Sequence, residues 1–96
     1  TRARTGAAEG GAVRDSDGRT YAAASVELPS LQISALGVCV AMAVASGSKG
    51  LEAAVVLTAA DDIASTDLDV IREFAGTGVV LHRGDPKGAI TATLSS

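Results

Sequence analysis

The first third of the chain alternates small and polar residues around one strong turn signal. Residues 6–13 and 19–26 are β-prone and flank Asp15-Ser16-Asp17-Gly18. Asp and Ser side chains close such turns, and glycine supplies the positive φ that they need. The pattern predicts a β-hairpin, which ends at Leu28-Pro29-Ser30. Ser30 or Ser34 is then expected to cap the following helix.

The middle of the chain contains a segment that is apolar on every side. Residues 35–45 carry only apolar side chains and glycine, and Gly47 and Lys49 follow as typical helix-ending residues. A helix without a polar face is normally covered all round. In a domain of this size it is expected to be central, or half-covered by a second subunit. A membrane span needs about 20 such residues, so this run is too short to be one.

The remaining residues alternate between strand and helix patterns. Residues 53–58 predict a central strand buried on both faces. Residues 67–75 predict a helix that is capped by Ser65 or Thr66. Two strands are expected over 79–82 and 89–94, around a turn at 84–88. The order β-β-α-β-α-β-β predicts one domain over residues 1–96, a three-layer α/β/α fold with a mixed five-stranded sheet.

The second helix has an amphipathic pattern. Asp67 and Asp69 are expected in its first turn, where carboxylates interact favourably with the helix dipole. The residues that are expected to form its buried stripe are Leu68, Ile71 and Phe74, with Val70.

Composition excludes several classes of protein. The 96 residues include one Cys, one His and two aromatic residues, and the net charge is −3. One Cys forms no internal disulfide, and with one His it cannot supply a Cys₄ or Cys₂His₂ zinc site. The acidic balance argues against nucleic acid as a partner. No membrane or targeting segment is visible, so a cytoplasmic location is expected.

Reactive side chains are few, and each has a plain structural interpretation. Cys39 lies within the apolar helix, where burial makes a thiol inert. His82 is expected to be an ordinary strand-end residue, and Asp61 and Asp62 a solvated loop pair. The segment 47–50 follows a helix instead of preceding one, so it is not a phosphate-binding loop. These residues alone predict no enzyme.

Several motifs, taken in order, resemble the small cytidine deaminases. They are Gly6-Ala7-Ala8, Asp17-Gly18-Arg19-Thr20-Tyr21, Ser25-Val26-Glu27, the strand 49–56, the helix 70–75 and the turn Asp85-Pro86-Lys87-Gly88. The similarity is collinear over roughly residues 4–94. It implies the fold of that family, whose first helix would precede Thr1.

The same resemblance locates a zinc site whose ligands are absent from this chain. In the family, a Cys-Ala-Glu motif and a Pro-Cys-x-x-Cys motif hold the metal, and the Glu moves protons. One alignment places Ser34-Ala35-Leu36 at the first motif, and the ungapped alternative places Leu36-Gly37-Val38 there. Ala64 and Asp67 stand at the two later cysteines. Because these family residues are replaced, we expect this chain to have no zinc cofactor and no catalytic residue.

The ribose-binding segment is partly preserved. Glu27 matches the family's glutamate, whereas Ser25 and Leu28 replace its two asparagines. Glu27 and Ser25 are thus candidate remnants of a ligand site. The expected function is a non-zinc pseudoenzyme that acts as an oligomeric scaffold or as a module binding a protein or a nucleoside-like molecule. The alternative is an active deaminase with displaced metal ligands. The family resemblance and the apolar helix, residues 34–48, imply a homo-dimer or tetramer.

Overall fold

The computed structural model describes residues 9–59 and 63–96, which form seven strands and two helices. Asp61 and Asp62 lie outside the described residues, as does the Gly-Ala-Ala motif at residues 6–8. In chain order the elements are β1 (Gly10–Asp15), β2 (Thr20–Ala24), β3 (Val26–Leu28), β4 (Leu31–Ile33), α1 (Ala35–Ala45), β5 (Leu51–Leu57), α2 (Ser65–Ala75), β6 (Val80–Gly84) and β7 (Ile90–Ser95).

The main sheet has five strands in the order β2-β1-β5-β6-β7. Only β5 and β6 run parallel, and Val55 pairs with His82 in that ladder; the other three pairings are antiparallel. The predicted α/β class and mixed five-stranded sheet are confirmed. The first hairpin is also confirmed, and Gly18 in its turn has a φ of 88°. The structure adds β3 and β4, a small hairpin that the sequence pattern did not predict.

Both helices pack on the same face of the sheet, where they form one core with it. Leu36, Ile71 and Leu81 are among its largest fully buried side chains. A Cβ on Gly11 would lie 3.3 Å from the Ala35 Cβ, so glycine permits the close approach of α1 to β1.

The opposite face of the sheet is more open. Its residues Ala53 and Val55 are only half-buried, so β5 is central in the sheet but not buried on both faces as predicted. Within residues 9–59 and 63–96 no helix covers this face. The described part of the chain thus contains the sheet and one helical layer.

The N-cap of helix α1 is Ser34, not Ser30. The Ser34 hydroxyl accepts a hydrogen bond from the amide of Gly37 at 3.0 Å, which is the usual N-cap contact. Gly47 follows the helix with a φ of 84°, as expected for a C-terminal glycine.

One side of α1 is buried and the other forms an apolar stripe on the surface. The residues on this stripe are Gly37 and Val38, half-buried, and Ala41, Val44 and Ala45, exposed. Val44 is 54% exposed. The sequence predicts that this helix is either central in the domain or half-covered by a second subunit. In the single chain it is not central, because this stripe is left uncovered.

Helix α2 departs from its prediction at the cap and on one face. Its N-cap is Ala64, which makes no side-chain capping bond, so neither Ser65 nor Thr66 has that role. Asp67 lies in the first turn as predicted, whereas Asp69 lies beyond it. Val70 points outward and is 38% exposed, while Ile71 is fully buried. The buried stripe therefore consists of Ile71 with the partly buried Leu68 and Phe74.

Asp15 joins the first hairpin to the segment between α1 and β5. It is fully buried, accepts hydrogen bonds from the Ser48 hydroxyl and the amides of Asp17 and Arg19, and pairs with the Arg19 guanidinium. The hydrogen bond from Ser48, and then those from the two amides and the charge of Arg19, lower the pKa of this carboxyl despite its burial. Asp15 therefore stays ionised at neutral pH with all its partners in place.

Candidate functional site

Two of the predicted site residues meet where the helices begin. Ser34 caps α1, and its hydroxyl donates a hydrogen bond to Oδ1 of Asp67 with an O–O distance of 2.5 Å. Asp67 is the third residue of α2 and only 5% exposed. Two residues 33 positions apart in the sequence thus form a direct polar contact between the helices.

The other predicted positions around this contact are apolar. Leu36 points into the core and is 1% exposed. Ala64 is exposed at the start of α2, and Val38 is the fourth residue of α1, where its amide donates to the carbonyl of Ser34. Of the two alignments, the one with Ser34 in the first ligand position brings that residue against Asp67. The other would use the buried Leu36 as a ligand.

The residues at this point do not fit a tetrahedral zinc ion. Such sites use Cys, His and carboxylate ligands, usually four in number or three plus a water. In the described part of the chain the carboxylate at this point is that of Asp67, which is already hydrogen-bonded to the Ser34 hydroxyl, and the other motif positions hold Leu36 and Ala64. Among residues 9–59 and 63–96, no group of three or more His, Cys, Asp or Glu side chains is placed to hold a metal.

A polar cleft of about 530 Å³ opens beside Ser34. Its lining includes both candidate ligand-binding residues, Ser25 and Glu27, and comprises Glu9, Ser25, Val26, Glu27, Gln32, Ile33, Ser34, Thr58 and Ala59. The Ser25 hydroxyl accepts a hydrogen bond from the amide of Glu9 at 3.2 Å, which fixes the wall of the cleft. The leucines 28, 31 and 36 do not line it.

The described lining of the cleft carries negative charge. Within residues 9–59 and 63–96, the charged side chains that line it are Glu9 and Glu27, without a Lys or Arg beside them. The remaining polar groups are hydroxyls and one amide. Such a surface can exchange hydrogen bonds with hydroxyl and amide groups of a ligand, and it repels anions.

Several lining residues were not singled out from the sequence. Gln32 lies in the unpredicted β4, and Glu9 directly precedes β1. Thr58 follows the carboxyl end of β5, beside the parallel strand β6. Ligands in α/β sheets commonly bind beyond the carboxyl ends of parallel strands, so the strand prediction alone could have identified Thr58.

The remaining reactive side chains lie away from the cleft. Cys39 is fully buried, and burial raises the pKa of its thiol to about 11. His82 lies in β6, and its Nδ1 is 3.0 Å from the Thr93 hydroxyl. Ser48, from the segment that superficially suggested a phosphate loop, is bonded to Asp15.

A family model and solved structures both relate this chain to the cytidine deaminases. A family model described as cytidine deaminase-like matches residues 1–88. The fold is similar to that of a cytidine deaminase from Burkholderia pseudomallei, with 18% identity, a TM-score of 0.80 and coverage of 91% of this chain and 73% of the other. A cytidine deaminase from Mycobacterium leprae gives 20% identity, a TM-score of 0.72 and coverage of 91% and 72%. No curated protein matches the chain.

No helix among the described residues is long and apolar enough to cross a membrane.

Proposed function

The chain belongs to the cytidine deaminase-like family, and we propose that it is a member without zinc and without deaminase activity that binds an uncharged, nucleoside-like ligand as a homo-oligomer. The observation that carries this proposal is the direct contact between Ser34 and Asp67, with Leu36 buried in the core. Its proposed location is the cytoplasm.

Hydrolytic deamination needs an activated water and a group that moves a proton. In a zinc enzyme the metal lowers the pKa of the water and a nearby Glu carries the proton. Leu36 has no ionisable group, and the Asp67 carboxylate is engaged with Ser34. The carboxylates of Glu9 and Glu27 line the cleft, and among the described residues no metal ligand set is placed around them. The residues therefore support binding and not hydrolysis.

The charge of the cleft indicates which ligands it would accept. A nucleoside offers sugar hydroxyls and base amide groups, which match the hydroxyls of Ser25 and Thr58 and the amide of Gln32. A nucleotide adds a phosphate dianion, which Glu9 and Glu27 would repel. The supported ligand class is therefore unphosphorylated.

The exposed stripe of α1 supports self-association. Monomeric proteins rarely leave a large contiguous apolar surface uncovered. Small residues such as Gly37, Ala41 and Ala45 allow helices of two copies to approach closely, and Val44 adds apolar area. This supports a homodimer or homotetramer in which α1 faces its counterpart.

Calorimetric titration with cytidine and with cytidine monophosphate tests the ligand class. We expect cytidine to bind about tenfold or more tightly than the monophosphate, because the phosphate faces two carboxylates. Replacement of Glu27 by Gln should reduce this difference, whereas Glu52→Gln, an exposed change outside the cleft, should not alter it. Equal affinity for both ligands, or no binding of either, would refute the proposed ligand class.

A further inference from the structure

The polar contact between the helices depends on one hydroxyl that acts as donor and acceptor at once. Ser34 accepts from the Gly37 amide and donates its only proton to Asp67. It thus caps α1 and holds the first turn of α2 at the same time. The Asp67 side chain in turn lies in the first turn of α2.

The chemistry of this pair does not suit a shared zinc ion. Zinc in proteins is bound by Cys, His and carboxylate side chains, and a serine hydroxyl is not among its usual ligands. The Ser34 hydroxyl is instead hydrogen-bonded directly to Oδ1 of Asp67. The two helices are joined here by a hydrogen bond to a charged group, which is among the stronger hydrogen bonds in proteins.

We infer that the Ser34–Asp67 hydrogen bond is the structural link that fixes the two helix N-termini beside the cleft, in place of a bound metal. A metal would tie together side chains from both helices, and this pair does so directly. Because Ser34 also lines the cleft, the link sets the position of that wall. The inference concerns stability, so it can fail or hold separately from the proposed ligand.

A double-mutant cycle measures the link. We expect Ser34→Ala and Asp67→Ala each to lower stability, and the double variant to be less destabilised than the sum of the two. The expected coupling is about tenfold in the unfolding equilibrium constant, equivalent to about 1.4 kcal/mol. Ser34→Thr keeps a hydroxyl and a capping oxygen, and should restore most of the stability lost in Ser34→Ala.

Two controls separate this link from unspecific coupling between substitutions and from metal binding. Ser30→Ala and Asp69→Ala change exposed residues of the same types, and their effects should add. Zinc and a chelator should both leave the melting temperature of the unmodified chain unchanged. Additive effects of the Ser34 and Asp67 changes would overturn the inference, as would stabilisation by zinc. If Ser34→Ala does not fold, the cycle is run with Ser34→Gly and Asp67→Ala, because glycine removes the hydroxyl and is still tolerated as an N-cap, and an additive result there has the same meaning.

Discussion

Replacement of Leu36 by Glu is expected to destabilise the fold by at least about 3 kcal/mol, because the new carboxylate would be buried without a partner. Leu36 is 1% exposed and belongs to the main core, on the side of α1 that packs against the sheet. The change restores the residue type that the family has at this position in the Ser34 alignment. It is expected to damage the fold without creating a proton shuttle. Chemical denaturation monitored by circular dichroism measures the effect.

Two further substitutions at the same position show whether packing is the reason. Leu36→Ala should cost about 2–5 kcal/mol, the usual range for a buried leucine. Leu36→Met keeps the volume and should cost less than about 1.5 kcal/mol. A stable Leu36→Glu variant would mean that the position is polar or accessible in the native protein, and the interpretation of it as core would be wrong.

Replacement of Ala41 by Arg is expected to convert the homo-oligomer into monomer. Ala41 is exposed on the apolar stripe of α1, between Val38 and Val44. In the proposed interface a guanidinium there would be buried among apolar groups without a partner. Such a burial weakens association by about 100-fold or more. Analytical ultracentrifugation over a concentration series measures the change.

The matched control is a charge added elsewhere on the surface. Thr77 is exposed in the segment after α2, so Thr77→Arg should leave the assembly unchanged. The circular dichroism spectrum of Ala41→Arg should match that of the unmodified chain, since the residue lies outside the core. An oligomer that persists in Ala41→Arg would refute the α1 interface.

The sequence predicts those elements whose signals are local. The turn residues Asp15 and Gly18 predict the first hairpin. Helix α1 and strand β5 are predicted because each is an apolar run with clear ends. The β3–β4 hairpin was missed because Pro29 normally marks a break, and here it occupies the tight turn of a hairpin only three residues long on each side. The apolar side chain of Val70 predicts a core position, whereas its place on the helix turns it outward.

The candidate site depends on tertiary contacts, which no local pattern specifies. Ser34 and Asp67 were each identified from a different motif, but only the packing of α1 against α2 brings them within 2.5 Å. Likewise Glu9, just before β1, and Ser25, just after β2, share the cleft because the Glu9 amide donates a hydrogen bond to the Ser25 hydroxyl. This contact continues the pairing of the two strands past their ends. Family resemblance identifies Glu27, and the structure adds Glu9 as the second carboxylate in the described lining of the cleft.

The zinc content of the purified chain tests the central claim most directly. The protein is produced in medium that contains zinc, purified without chelators and analysed by mass spectrometry of its metals. We expect far less than one zinc ion per chain, because Asp67 is bonded to Ser34 and no thiolate or imidazole stands beside them. One zinc ion per chain, together with conversion of cytidine to uridine, would contradict the account and establish a deaminase with displaced ligands.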